Sequence, residues 1–193
     1  QSVKCCMNFN STMKLFSRWC ADNWRFFIGL GLIIAAANIF LFQFYHRENF
    51  VYFWDWSAYQ NHFIFIVNKF KLGFFPAVLA LVYSAAFTEY SLLIPFVIGP
   101  LGLIFGTGRQ VFLFLILNIF ALPAAIGLGL VFVRLIRVEG KHKLLYALIP
   151  AGILLTAPQF WVPLLLGFFD AGILLPIIGI WFLMTAKEQN RQK

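Results

Sequence analysis

The chain has 193 residues, of which 62% are hydrophobic and 11% charged, with a mean hydropathy of +0.84. Soluble domains run at about 45–50% apolar and about 25% charged residues, which excludes a water-soluble enzyme, a disordered chain and a small disulfide scaffold. The composition is that of a polytopic membrane protein. At about 20 apolar residues per spanning helix the length admits at most about six or seven short spans.

The formal charge is +8, from 15 Lys and Arg against 7 Asp and Glu. In a membrane protein such an excess reports orientation and implies no nucleic-acid partner. Cys5, Cys6 and Cys20 all precede the first apolar run. An odd number with no His beside them gives neither a metal-site spacing nor a disulfide framework, so they read as free cytosolic thiols.

In chain order, residues 1–25 read as a cytoplasmic N-terminal segment. Phe26 to Tyr45 is an uncharged stretch of 20 residues, enough for one span. An outer loop is expected over 46–109, opening with the aromatic- and amide-rich stretch His46 to Phe75. Two apolar stretches inside it, Leu72 to Phe87 and Ser91 to Phe105, are broken by Pro76 and by Pro95, Gly99, Pro100 and Gly102. The turn between them carries Glu89 and no basic residue. Both stretches are therefore expected to lie as interfacial or half-inserted helices on the outer leaflet, the alternative being two further spans joined at Glu89.

Gln110 to Val133 is the second clear span, closed by Arg134 and Arg137. Leu144 to Phe169 is uncharged, but its helix is expected to end near Thr156 to Pro158, because proline removes a donor and clashes with the preceding turn. A second outer loop then covers 157–170. Ala171 to Ala186 makes a fourth, slightly short span before the cytoplasmic tail 187–193. The expected fold is all-α: a polytopic membrane helical bundle of about four spans plus two outer helices, or six spans if 72–105 crosses.

Charge placement tests this layout. Eleven of the 15 basic residues fall before the first span, in the Arg134–Lys143 turn or in the tail, all on one side. The positive-inside rule makes that side, and the N-terminus, cytoplasmic. Glu48, Asp55, Glu89 and Asp170 fall on the opposite side. A bacterial plasma membrane is the expected location.

The most informative stretch is Glu48 to His62, ENFVYFWDWSAYQNH, in which Asp55 stands between Trp54 and Trp56 with Tyr52, Tyr59 and His62 near. An aromatic belt at the headgroup level accounts for the rings. It does not account for the acid. A carboxylate beside apolar rings loses solvation, which raises its pKa towards a value useful for proton transfer. Tryptophan and tyrosine faces are also platforms for sugar rings. His46 and His62 read as interfacial polar residues.

These residues resemble a family. A first outer loop after span one, carrying Asp in a W-D-W-x-x-Y setting, is similar to that of the C superfamily of membrane glycosyltransferases, which includes the protein mannosyltransferases. Thr88-Glu89-Tyr90 matches the acid-Tyr pair of bacterial relatives. Phe105 to Arg109 (FGTGR) resembles their F-G-x-x-R turn, and Ala157 to Asp170 (APQFWVPLLLGFFD) their P-x-F-W-x-P-x-x-x-G-x-x-D segment. Phe169 departs from a G-Y-P-D form, and Glu89 replaces a commoner Asp. The family usually has eight or more spans, and the chain opens on Gln1, so an N-terminal part of a longer protein is expected.

The resemblance implies transfer of a sugar from a polyprenyl-phosphate donor to an acceptor hydroxyl on the non-cytoplasmic face, with inversion. Asp55 would be the general base and Arg109 would stabilise the leaving phosphate, with Lys69 and Lys71 as weaker candidates whose simpler reading is snorkelling. Glu89 and Asp170 would assist Asp55, orient sugar hydroxyls or hold a divalent cation, while Trp54, Trp56 and Tyr59 would bind substrate. No cofactor is certain. The acceptor could be a carbohydrate, a lipid or a protein. The competing expectations are a small multi-pass transporter or permease subunit, and a non-catalytic relative of the same fold.

Overall fold

A computed structural model describes residues 9–47, 55–88, 91–138, 140, 142–166 and 177–182. Among them all regular structure is helical. In order come α1 (Phe9–Asp22), α2 (Trp24–Arg47), α3 (Asp55–Leu72), α4 (Phe74–Phe87), α5 (Leu93–Phe105), α6 (Arg109–Ile116), α7 (Leu122–Leu135), α8 (Lys143–Thr156) and α9 (Pro158–Leu166). A π-helical turn, Leu117–Ala121, joins α6 and α7 into one continuous helix. Residues 177–182 are also helical.

Two helices are long and apolar enough to cross a membrane: α2 with 24 residues and Arg109–Leu135 with 27. At 1.5 Å per residue they rise about 36 and about 40 Å, beyond the ~30 Å hydrocarbon core. The π turn has a local cause. Pro123 has no N–H to give, and its ring presses on the carbonyl four residues back. The helix widens there, and Leu122 N–H bonds to Leu117 O, five residues back.

Asn118 sits in that turn and faces Asn38 of α2. Each amide donates to the other, Asn38 Nδ2 to Asn118 Oδ1 at 3.0 Å and Asn118 Nδ2 to Asn38 Oδ1 at 2.9 Å. Each also donates to its own helix, to Ile34 O and Phe114 O. Two polar residues inside apolar helices thus satisfy one another.

The packed centre lies beside this pair. Phe63, Ile66 and Val67 of α3, Ile98 of α5, and Phe112, Leu113, Ile116 and Leu117 of the continuous helix are all fully buried. A Cβ at Gly102 would meet Phe63 and Val67, and one at Gly99 would meet Phe70 and Ile66, so α3 and α5 run antiparallel. Phe63 stacks on Phe112 at 5.5 Å and Phe70 on Phe96 at 5.1 Å. Residues 55–72 of the aromatic stretch, expected within an outer loop, are therefore a central helix. Its core-packed positions recur at 63, 66, 67 and 70, the first three buried and Phe70 half-buried, the spacing of one helical face.

α2 and α8 run parallel, since Gly29 of α2 faces Leu148 and Leu145 of α8 while Phe40 stacks on Trp161 of α9 at 4.5 Å. α7 runs antiparallel to α8, with Gly129 against the Ala147 carbonyl. Arg25, Arg134, Arg137 and Lys143 accordingly share one end of the bundle. The ends of α2 and α9 and the start of α6 share the other.

Four clear spans are not present among the described residues. The stretch expected as span three gives α8, 14 residues ending at Thr156, or about 21 Å. Ala157 is extended at φ −80° and ψ 127°, the conformation that a following proline imposes, and α9 starts afresh at Pro158. The expected fourth span lies largely outside the described residues. Helices α4 and α5, with 14 and 13 residues, are also shorter than a crossing needs.

Removing one amide of the Asn38–Asn118 pair leaves the other with only the bond to its own helix. Asn38→Ala and Asn118→Ala should each cost about 1 kcal/mol. The double variant should cost clearly less than the two together, as read by reversible unfolding in mixed micelles; strict additivity would show that the amides are not coupled. Gly129→Ala should cost about 1–3 kcal/mol by forcing α7 and α8 apart. Gly31→Ala, which meets nothing within 4 Å, should leave the unfolding midpoint unchanged.

Candidate functional site

The antiparallel pairing of α3 and α5 fixes which termini meet. Gly102 packs on Phe63, so the C-terminal end of α5 and the N-terminal end of α3 lie at the same end of the bundle. Asp55 is the first described residue of α3. Arg109 is the first residue of α6, reached from α5 through Gly106, whose φ of 94° favours glycine, and Gly108. Arg109 Nη2 donates to Leu165 O at 2.9 Å, which brings α9 to the same place. The last turn of α2 completes the end: a cavity of about 410 Å³ is lined by Asn38, Phe42 and Tyr45 of α2, Phe105 of α5, and Gln110 and Phe114 of α6.

Of the residues expected to form a site, Asp55, Tyr59 and Arg109 are thus gathered at one end, as positions on α3 and α6. Tyr59 is half-buried and packs against the core. Trp54, Glu89 and Asp170 lie outside the described residues, and of Asp55 and Trp56 only the backbone position on α3 is described. Leu165, five residues before Asp170, is the partner of Arg109. Thr88 and Ser91, which flank Glu89 in sequence, lie at the opposite end of α5. Leu92 N–H donates to Ser84 Oγ at 3.1 Å there, and the 13 residues of α5 put about 20 Å between its ends. Lys69 and Lys71 lie in the last turn of α3. That is about 21 Å along the helix from Asp55. The Lys69 ammonium stands 5.2 Å from the Phe65 ring centroid, in keeping with a snorkelling side chain.

One residue set aside in the sequence gains weight. Positions 55, 59 and 62 follow an i, i+4, i+7 spacing and fall along one face of α3. His62 is half-buried, its Nδ1 is out of solvent, and desolvation lowers its pKa from 6.5. The signal was present in D-x-x-x-Y-x-x-H but becomes legible only once the stretch is helical. No cluster of three His, Cys, Asp or Glu side chains able to hold a metal occurs among the described residues. Comparison with protein-family models, curated proteins and solved structures finds no match to this chain.

The lowered pKa of His62 has a consequence for stability. Between the folded-state value and 6.5 the unfolded chain binds more protons than the folded one, so stability rises with pH through that window and is lost as pH falls through it. His62 lies outside both membrane-length helices. Thermal midpoints in detergent should fall on acidification below about pH 6.5, and His62→Gln should flatten that part of the profile. An unchanged slope in the variant would assign it to other groups.

Proposed function

We propose that the protein is an integral membrane glycosyltransferase, multi-pass with its basic end in the cytoplasm, which transfers a sugar from a polyprenyl-phosphate donor to a hydroxyl on the opposite face. The observation that carries this reading is the convergence at one end of the bundle. The start of α3 with Asp55, the start of α6 with Arg109 and the end of α9 meet there, away from Arg25, Arg134, Arg137 and Lys143. In the reaction the Asp55 carboxylate takes the proton of the acceptor O–H as its oxygen bonds to the anomeric carbon. The bond from that carbon to the donor phosphate oxygen breaks with its electron pair left on the phosphate, inverting the configuration. Arg109 meets the developing charge, since its planar fork suits phosphate oxygens. Trp54, Trp56 and Tyr59 give the sugar an apolar face, and Asp170 orients its hydroxyls. Glu89 receives no role in this scheme, because its sequence neighbours stand at the far end of α5.

A transport path is less well supported. It would call for polar groups at mid-helix able to bind a substrate. Asn38 and Asn118, the amides available there, are bonded to each other.

The test is sugar transfer from a radiolabelled polyprenyl-phosphate donor in membrane vesicles carrying the chain. Asp55→Asn should lower the rate by about 10²–10⁴-fold, the usual worth of a placed base, with protein level in the membrane unchanged. Arg109→Lys should lose part of the activity, keeping the charge but not the fork. Full activity in Asp55→Asn would remove the proposed base.

A further inference from the structure

We propose that α1 is a membrane-surface helix that binds an anionic phospholipid leaflet at the basic end of the bundle. The proposal rests on the membrane reading above but not on sugar transfer. Along α1, positions 9, 13, 16 and 20 hold Phe9, Met13, Phe16 and Cys20 and fall on one strip, while positions 14 and 18 hold Lys14 and Arg18 on the opposite side. A helix of this kind in a soluble fold would press its strip into the core. Among its described side chains none is buried, with Met13 58% and Trp19 45% exposed.

The junction with α2 says what covers the strip. Asn23 closes α1 and opens α2: its Nδ2 and N–H donate to Trp19 O at 2.8 and 3.1 Å, and its own carbonyl accepts from Phe26 N–H at 2.9 Å. Trp19 packs edge-on against Phe27 at 5.6 Å, and the Arg25 guanidinium lies 5.6 Å from the ring of Trp24, itself 53% exposed. Tryptophan and arginine together, at the point where a membrane-length apolar helix begins, are the chemistry of the headgroup level. Trp19 of α1 thus meets Phe27 on the exposed surface of α2.

Charge selects the lipid. Through residue 25 the chain carries Lys4, Lys14, Arg18 and Arg25 against the single acid Asp22, and Arg134, Arg137 and Lys143 share that end of the bundle. Basic residues at a membrane surface are drawn to anionic headgroups within a Debye length. A zwitterionic leaflet offers the same apolar depth without that attraction.

The experiment uses the full chain with Cys5, Cys6 and Cys20 replaced by serine and one spin label at a time, through Met13→Cys, Ser11→Cys or Leu32→Cys. Collision with oxygen, which concentrates in lipid, is compared with collision with a water-soluble nickel chelate. In phosphatidylcholine vesicles containing phosphatidylglycerol, the oxygen-to-nickel ratio should be several-fold higher at position 13 than at position 11. That contrast should collapse towards unity in phosphatidylcholine alone, or when Lys14→Glu and Arg18→Glu are introduced. Equal nickel access at 13 and 11 in the anionic vesicles would overturn the proposal. So would shielding of position 13 from both reagents, which would mean that protein or a second copy covers the strip. An undiminished contrast in phosphatidylcholine alone would overturn the lipid selectivity. The label at position 32, on an exposed face of α2, must be oxygen-rich throughout; nickel access there would mean that the membrane reading itself fails.

Discussion

The reciprocal amide contact between Asn38 and Asn118 is the constraint on which the arrangement depends. α2 is little covered by the rest of the fold, with 17% of its most apolar window buried. Lipid tails are as apolar as leucine, so hydrophobicity alone would let α2 slide and turn against its neighbour in a bilayer. The two-way amide bond removes that freedom. A slip of one residue would turn the Asn38 position by about 100° and shift it by about 1.5 Å, breaking both bonds at once. Asn118 lies in the wide turn that Pro123 enforces, so the register of α2 is tied to the one irregularity of the continuous helix.

From this register the two ends of the bundle follow. Asn118 is nine residues past Arg109 and Asn38 is seven before Tyr45, so the start of α6 and the last turn of α2 arrive together. The second half of the frame is set by absent side chains. Gly129 lets α7 meet the backbone of α8, and Gly102 and Gly99 let α5 close on the aromatic face of α3. Small residues admit close backbone approach where no solvent drives association. Arg109 then fastens α9 through Leu165 O, and Arg134 holds residues 177–182, its guanidinium 3.6 Å from the Phe182 ring centroid and donating to Phe182 O.

What was legible in the sequence follows the physics of each signal. Apolar length without charge is a strong signal, and both long helices fall within two residues of the stretches read for them. The end of α8 at Thr156 was legible too, because Pro158 acts locally on the residue before it. α3 was hidden, since its polar guests Asn61, Asn68, Lys69 and Lys71 dilute its mean hydropathy and its helical spacing is carried by aromatics that equally suit an interface. The break at Ala157 leaves α8 only 14 residues, about 21 Å, so the run beginning at Leu144, though counted as a span, falls short of a crossing. As to the site, spacing could say that Asp55, Glu89 and Arg109 all stand outside the clear spans. Only the antiparallel pairing of α3 with α5 separates the neighbourhood of Glu89 from that of Arg109.

The same pairing bears on the base proposed at position 55. What distinguishes this helix is that its third and fourth turns are anchored, with Phe63, Ile66 and Val67 fully buried. Catalytic groups need placement within about half an ångström, which rigid, packed elements supply better than loops. The transfer proposed for this chain rests on that frame, with position 55 and the half-buried His62 two turns apart on one face of α3 and Arg109 at the head of α6.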